Sequence, residues 1–172
     1  LALIQYRSSA EALQQIVYWS MGSLTRANWA ANGVLAAVLI IALPILWALG
    51  WRLTALRLGD ARATAMGINT SRLRVVVLIV VSLVAATTVA FAGIIGFIGL
   101  VGPHIARMLV GEDQRYFLPA SMAAGAAVMC AAHAVSLMIK PGLAIPIGIV
   151  TSLLGVPFFI AIVMTRRRAL WT

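Results

Sequence analysis

Acidic residues are scarce in this chain: four Asp and Glu among 172 residues, against thirteen Lys and Arg. None of the four, Glu11, Asp60, Glu112 and Asp113, lies within a long apolar run. A proton-coupled carrier ordinarily needs an intramembrane carboxylate, so this scarcity weighs against one. Lysine is scarcer still, with Lys140 alone, and no G-x-x-x-x-G-K-[ST] pattern occurs. If ATP is used, another subunit must bind it. A single cysteine, Cys130, excludes a disulfide within the chain, and its apolar surroundings suit a small packed thiol. No Cys/His cluster has metal-ligand spacing and no G-x-S-x-G nucleophile motif appears, so no catalytic group, metal or cofactor can be named. The chain opens on Leu1 without a basic leader and cleavage site, as expected of the later part of a longer protein.

What is present is apolar. Hydrophobic residues make up 63% of the chain and charged residues 10%, far from the balance of a soluble domain. Apolar runs of about 20 residues recur without the alternation of a barrel, so the expected fold is all-α, a polytopic transmembrane helical bundle. Five spans are expected. They are Gly33–Gly50 (with Trp29–Asn32 added and a kink at Pro44), Val75–Ile95, a shorter Gly96–Val110, Phe117–Ile139, and Leu143–Met164 interrupted by Pro146 and Pro157. Ahead of them, Ser8 and Glu11 make a capping-box pattern, and 8–20 reads as a short interfacial helix. The whole chain, 1–172, reads as one transmembrane fragment without an internal repeat.

The net charge of +9 carries no nucleic-acid signature, because no basic stripe interleaves with aromatics. Ten of the thirteen basic residues fall in Trp51–Arg74, Arg107–Arg115 and the tail, leaving Arg7, Arg26 and Lys140 on the other side. The positive-inside bias then places the arginine-rich side and the C-terminus in the cytoplasm. Arg166, Arg167 and Arg168 read as an orientation signal and a contact for anionic lipid.

Two stretches carry functional promise. In the first, Gly93, Gly96, Gly99 and Gly102 recur every third residue, followed by Pro103, His104 and Arg107. Read as a helix, this run presents a side-chain-free stripe where a neighbour can approach closely, with a bend at Pro103. It suits either a tightly packed helix or a hinge in a pathway wall, and Gly99→Leu is expected to block the approach. His104 and Arg107 share a helix face, while His133 lies deeper, so each is either a hydrogen-bonded packing residue or a functional ionisable group. In the second stretch, L-R-L-G-D-A-R-A-T-A-M-G, Asp60 is a plausible N-cap, Ala61–Met66 favour helix, and Gly67 can end it. Asn69–Ser71 offers a cap for the next span. Such a capped helix is either a solvated connector or a knob for a partner's groove.

These residues resemble the FecCD-type permeases, the membrane subunits of ATP-driven importers for iron–siderophores, haem and cobalamin. The resemblance rests on four segments in order. They are Y-W-S-M-G-S-L at 18–24, L-G-D-A-R-A-T-A-M-G-I at 58–68, G-F-I-G-L-V-G-P-H-I-A-R at 96–107 with Gly111, and I-P-I-G-I-V-T-S-L-L-G-V-P-F-F at 145–159. It implies the second half of a ten-span type II ABC importer permease in the bacterial cytoplasmic membrane. Such a subunit would pair with a second permease subunit, cytoplasmic ATPase subunits that bind ATP and Mg, and an extracytoplasmic substrate-binding protein. It would be a permease rather than an enzyme, with ferric siderophores as the expected cargo and haem or cobalamin as alternatives. Leu58, Gly59, Asp60, Ala61, Ala63, Met66 and Gly67 would form the segment that couples to the ATPase. A bulky charge at Ala63 is accordingly expected to uncouple hydrolysis from uptake. The helix at 8–20 would lie beside the pathway mouth. The chain departs from the family pattern where His133 and Leu137 replace an acid and its basic partner, and where Ala144 stands in place of a common Glu. A competing reading is an ion-coupled carrier with His133 and His104 as a relay; a membrane-embedded enzyme has no constellation to support it.

Overall fold

The helices form where apolar runs are closed by local hydrogen bonds. In this computed structural model, which describes residues 2–139 and 145–168, the described residues are helical or irregular, with no strand. The elements are α1 (Ala2–Arg7), α2 (Ala10–Ser20), α3 (Trp29–Ala48), α4 (Gly50–Leu56), α5 (Asp60–Ala65), α6 (Thr70–Ala92), α7 (Ile98–Val110), α8 (Gln114–Ile139) and α9 (Ile147–Arg168). Asn28 caps α3 by accepting from the Ala31 N–H at 2.7 Å, and Asn69 accepts from Arg72 N–H at 2.9 Å at the start of α6. The cap of α2 is Ser9, which accepts from Ala12 N–H at 3.3 Å. Ser8, the expected cap, instead donates back to the Ile4 carbonyl at 2.6 Å. Its hydroxyl is taken by α1, which the capping-box pattern did not reveal.

Helices α3, α6 and α8 are long and apolar enough to cross a membrane, with mean hydropathies of 2.2, 2.7 and 1.8. Helix α7 has 13 residues, a rise of about 20 Å against a hydrocarbon core of about 30 Å. The apolar part of α9, Ile147–Ile160, is also short. The expected turn at Lys140–Gly142 and the position of Ala144 lie outside the described residues.

The chain divides into two compact units. The first comprises 1–26, 92–101 and 127–172. Its core is Ala132, Ile147 and Val150, flanked by Leu24, Ile95, Met129 and Ile145. Buried Ser136 donates to the Ile145 carbonyl at 2.5 Å. Here the glycine stripe departs from expectation. Residues 93–97 are not helical, and Gly93, with φ +77°, lies in this break after α6. Gly93 and Gly96 therefore cannot continue a stripe onto α7. Gly93 instead lies against the Trp19 carbonyl and Gly22. Close by, Ser23 N–H donates to the Ala92 carbonyl at 2.9 Å, and Gly148 N–H to the Met21 carbonyl at 3.1 Å. Backbone-to-backbone seating of this kind leaves no room for side chains and pairs polar groups that lipid could not satisfy. Phe97, the residue before α7, has φ +66°, and a Cβ placed on Gly155 would fall on its side chain.

The second unit comprises 27–91 and 102–126. Its helices α7 and α8 meet backbone to backbone at Gly102, where an added Cβ would lie 3.1 Å from Gly125 Cα and from the Ser121 carbonyl oxygen. Gly99, expected to make such an approach, faces open space. The contact sits one helical turn further along because only Gly102 coincides with a glycine on the opposite helix.

Gly102→Leu should therefore destabilise the protein by about 1–3 kcal/mol or more, as overpacking against backbone does, while Gly99→Leu should stay near wild type. Thermal unfolding of the two full-length variants in detergent tests this, and the reverse ranking would contradict the α7–α8 contact.

Candidate functional site

The site is the elbow formed by α4, α5 and the start of α6. A six-residue helix such as α5 cannot persist on its own, since nucleation costs more than so few hydrogen bonds return. Its ends are closed by glycines in left-handed conformations, Gly59 at φ +98° and Gly67 at φ +79°. At the C-terminus, Ile68 N–H donates to the Ala63 carbonyl at 3.1 Å and Gly67 N–H to Thr64 at 2.9 Å. This is a Schellman closure, and it brings Ile68 onto Ala63.

Ala63 has no exposed surface, and with Ala55, Ile68 and Leu73 it forms the core of the elbow, supported by Leu49, Leu53, Leu56 and Val77. Ala63, expected within the coupling segment, thus faces inward and belongs to the core of that segment. Asp60 is not the N-cap. Gly59 occupies that position, and Asp60 stands in the first turn with its carboxylate 2.6 Å from Arg74 on α6. Facing outward are Leu58, Asp60, Ala61, Met66 and Gly67. Leu58 and Met66 remain 56% and 48% exposed. They help line an open cleft of about 360 Å³ with Trp51, Thr54, Asp113 and Arg115.

A polar network ties α4 to the turn between α7 and α8. Arg57 pairs with the Glu112 carboxylate and donates to the Glu112 carbonyl at 3.2 Å. Arg107 approaches the same carboxylate at 3.4 Å and lies 5.9 Å from the Phe117 ring centroid. Thr54 donates to Asp113 at 3.3 Å and accepts from Gln114 N–H at 3.0 Å. Asp113 also accepts from Arg115 N–H at 3.0 Å, capping α8. These ion pairs are roughly half exposed, so each adds only about 0–1 kcal/mol. The Ala63 core holds the elbow together, and the polar ties set its register. Sequence reasoning missed Thr54, Arg57, Glu112 and Asp113. The available signal was that two of the four acids adjoin in one turn after Gly111, in a chain with an arginine-rich loop.

The remaining candidates are separate. His104, half-buried on α7, and Arg107 belong to the second unit, and Arg107 turns to Glu112. His133 is half-buried on α8 in the first unit, next to fully buried Ala132. The first unit also holds an open cavity of about 590 Å³, where the end of α2, the irregular segment at 93–97 and the start of α9 meet. Ser20 and Ser152 supply its side-chain hydroxyls among otherwise apolar or glycine walls.

Comparison with known proteins sets this geometry in context. The profile of the FecCD transport family matches residues 1–165. The chain is 36% identical to the hemin transport system permease protein of Yersinia pestis over 166 residues, 96% of this chain and 49% of that protein. It is 40% identical to the Fe(3+)-citrate import system permease protein of Bacillus subtilis over 150 residues, 87% of this chain and 45% of that protein. A solved structure, described as an inward-facing ABC transporter of metal-chelate type, superposes with a TM-score of 0.89 at 36% identity. That match covers 95% of this chain and 54% of the other. The chain spans about half the length of these relatives.

If the Ala63 core holds the elbow, Ala63→Arg should strip hydrogen-exchange protection from residues 58–68, because burying an unpaired charge costs several kcal/mol, roughly 3–5. Ala61→Arg, on the exposed side, should leave that protection intact. Equal protection in the two variants would show that the elbow does not depend on Ala63.

Proposed function

This chain belongs to the FecCD transport family, and from that membership we propose that it is the second half of a translocation subunit in an ATP-driven importer, passing ferric siderophores across the bacterial cytoplasmic membrane. In this reading it is a permease and not an enzyme. ATP and Mg bind to a cytoplasmic ATPase pair, a second permease subunit completes the pathway, and an extracytoplasmic binding protein delivers the cargo. Helices α7 and α9, with their flanking segments, complete five crossings with α3, α6 and α8. The arginine-rich elbow lies in the cytoplasm, as the positive-inside bias directs.

The observation that carries the coupling role is the construction of α5. A helix this short, closed at both ends and seated by Ala63, moves only together with its platform. Leu58, Ala61 and Met66 supply an exposed face for an ATPase groove. When ATP closes the ATPase pair, displacement of α5 passes to α6 through Ala63, Ile68, Leu73 and the Asp60–Arg74 pair. It passes to the α7–α8 turn through Arg57–Glu112 and Thr54–Asp113. The Gly102–Gly125 contact links α7 to α8 with little slack. The cavity beside Ser20 and Ser152 serves as part of the outer mouth. Its sparse polar groups suit a bulky chelate, which closely fitted polar contacts would trap.

The relatives carry permease names for hemin and for ferric citrate, so the cargo is the point to test. In cells lacking the full-length protein, uptake of radioiron on several siderophores, of haem and of labelled cobalamin is measured with and without ATP depletion. Loss of one ferric chelate, restored by the gene and dependent on ATP, is the expected result. Loss of haem or cobalamin uptake instead would replace the cargo, and uptake that survives ATP depletion would overturn the importer reading. Ala61→Arg should lower uptake about tenfold, the effect of some 1.4 kcal/mol lost at a docking surface, while the complex still assembles and hydrolyses ATP. Wild-type uptake in that variant would remove α5 from the coupling role.

A further inference from the structure

In the second unit, three acids sort the arginines of the elbow. Arg57 pairs with Glu112 and Arg74 with Asp60, while Asp113 is engaged by Thr54 and the Arg115 N–H. Arg52, Arg62 and Arg72 have no acidic partner among the described residues. Two of these three, Arg52 and Arg72, line one cavity of about 310 Å³, although one follows α3 and the other opens α6. Leu49, Leu73 and Val76 give the cavity an apolar wall beside Trp51. The Arg52 guanidinium lies 5.6 Å from the Trp51 ring centroid.

Two unneutralised guanidiniums beside an apolar wall call for an anion that also carries hydrocarbon. The wall belongs to the ends of α3 and α6, both long and apolar enough to cross a membrane. The cavity therefore sits where hydrocarbon gives way to headgroups, the level that Trp and snorkelling Arg prefer. We propose that this cavity binds the headgroup of an anionic phospholipid. Arg52 and Arg72 hold its phosphodiester, for which the planar guanidinium is well matched. An acyl chain lies along Leu49 and Val76, the partly exposed apolar residues of the wall. An acidic protein segment would satisfy the charges but has no use for an apolar wall continuous with the spans. Met66 and Gly67 also border the cavity, so the lipid would sit under the end of α5. The proposal rests on the elbow lying at the membrane surface and not on what is transported.

Native mass spectrometry of the full-length protein in its complex provides the test, after loading with phosphatidylglycerol, phosphatidylcholine or inorganic phosphate. Phosphatidylglycerol should be retained and phosphatidylcholine lost. Arg52→Gln with Arg72→Gln should weaken retention by about thirtyfold, as expected for two cationic contacts at a membrane surface. Arg62→Gln, outside the cavity, should not. If the double variant misfolds, Arg52→Lys and Arg72→Lys keep the charge and should still favour phosphatidylglycerol over phosphatidylcholine. Equal retention by wild type and the double variant overturns the site, as does equal retention of the two lipids. Displacement of phosphatidylglycerol by inorganic phosphate would assign a soluble anion and overturn the lipid. Uptake assayed on the same preparation keeps the two proposals apart. A complex that retains phosphatidylglycerol through these arginines but carries none of the tested cargoes would leave this site standing and remove the importer reading.

Discussion

Ala63 is the side chain on which the elbow depends. It has no exposed surface and packs with Ala55, Ile68 and Leu73, so a larger side chain there would crowd that core. That close seating compensates for a helix too short to nucleate. The left-handed glycines at 59 and 67 then turn the chain sharply enough to enter and leave the seat. Everything proposed for α5 follows from this. A loosely attached helix would absorb a push, whereas one seated through a buried methyl passes it on.

Charge works at a second level. With only three acids in the unit, ion pairing reaches some arginines and not others: Arg57 pairs with distant Glu112, and Arg74 with Asp60 on the preceding helix. Because these pairs are half exposed, their value is in register more than in free energy. Arg52, Arg62 and Arg72 are left without an acid among the described residues, and the proposed lipid headgroup would supply counter-charge to Arg52 and Arg72. The same shortage of acids thus bears on both proposals, the transmission path and the lipid site.

Glycine serves two purposes that look alike in sequence. Gly102 allows α7 and α8 to approach backbone to backbone, the small-residue packing expected of helices in lipid. Gly93, in the irregular segment at 93–97, and Gly148, in the first turn of α9, instead lie against the Trp19 and Met21 carbonyls. In a bilayer, non-helical backbone is tolerated only where it is covered and paired, and the hydrogen bonds at Ser23 and Gly148 meet that condition for two of the donors.

Composition and periodicity determined the helical class, the three apolar helices of membrane length, the existence of α5 with Gly67 at its end, and the cap at Asn69, because each depends on residues close together in sequence. The family was readable from four motifs in order, since motif spacing survives without a structure. Tertiary structure alone decided that Ala63 faces inward, that Asp60 serves Arg74 instead of capping, and that the break at 93–97 splits the glycine series. It also decided which arginines find acids. Those outcomes depend on which distant residue arrives alongside, and a local pattern of small or charged side chains fixes their spacing without fixing their neighbours.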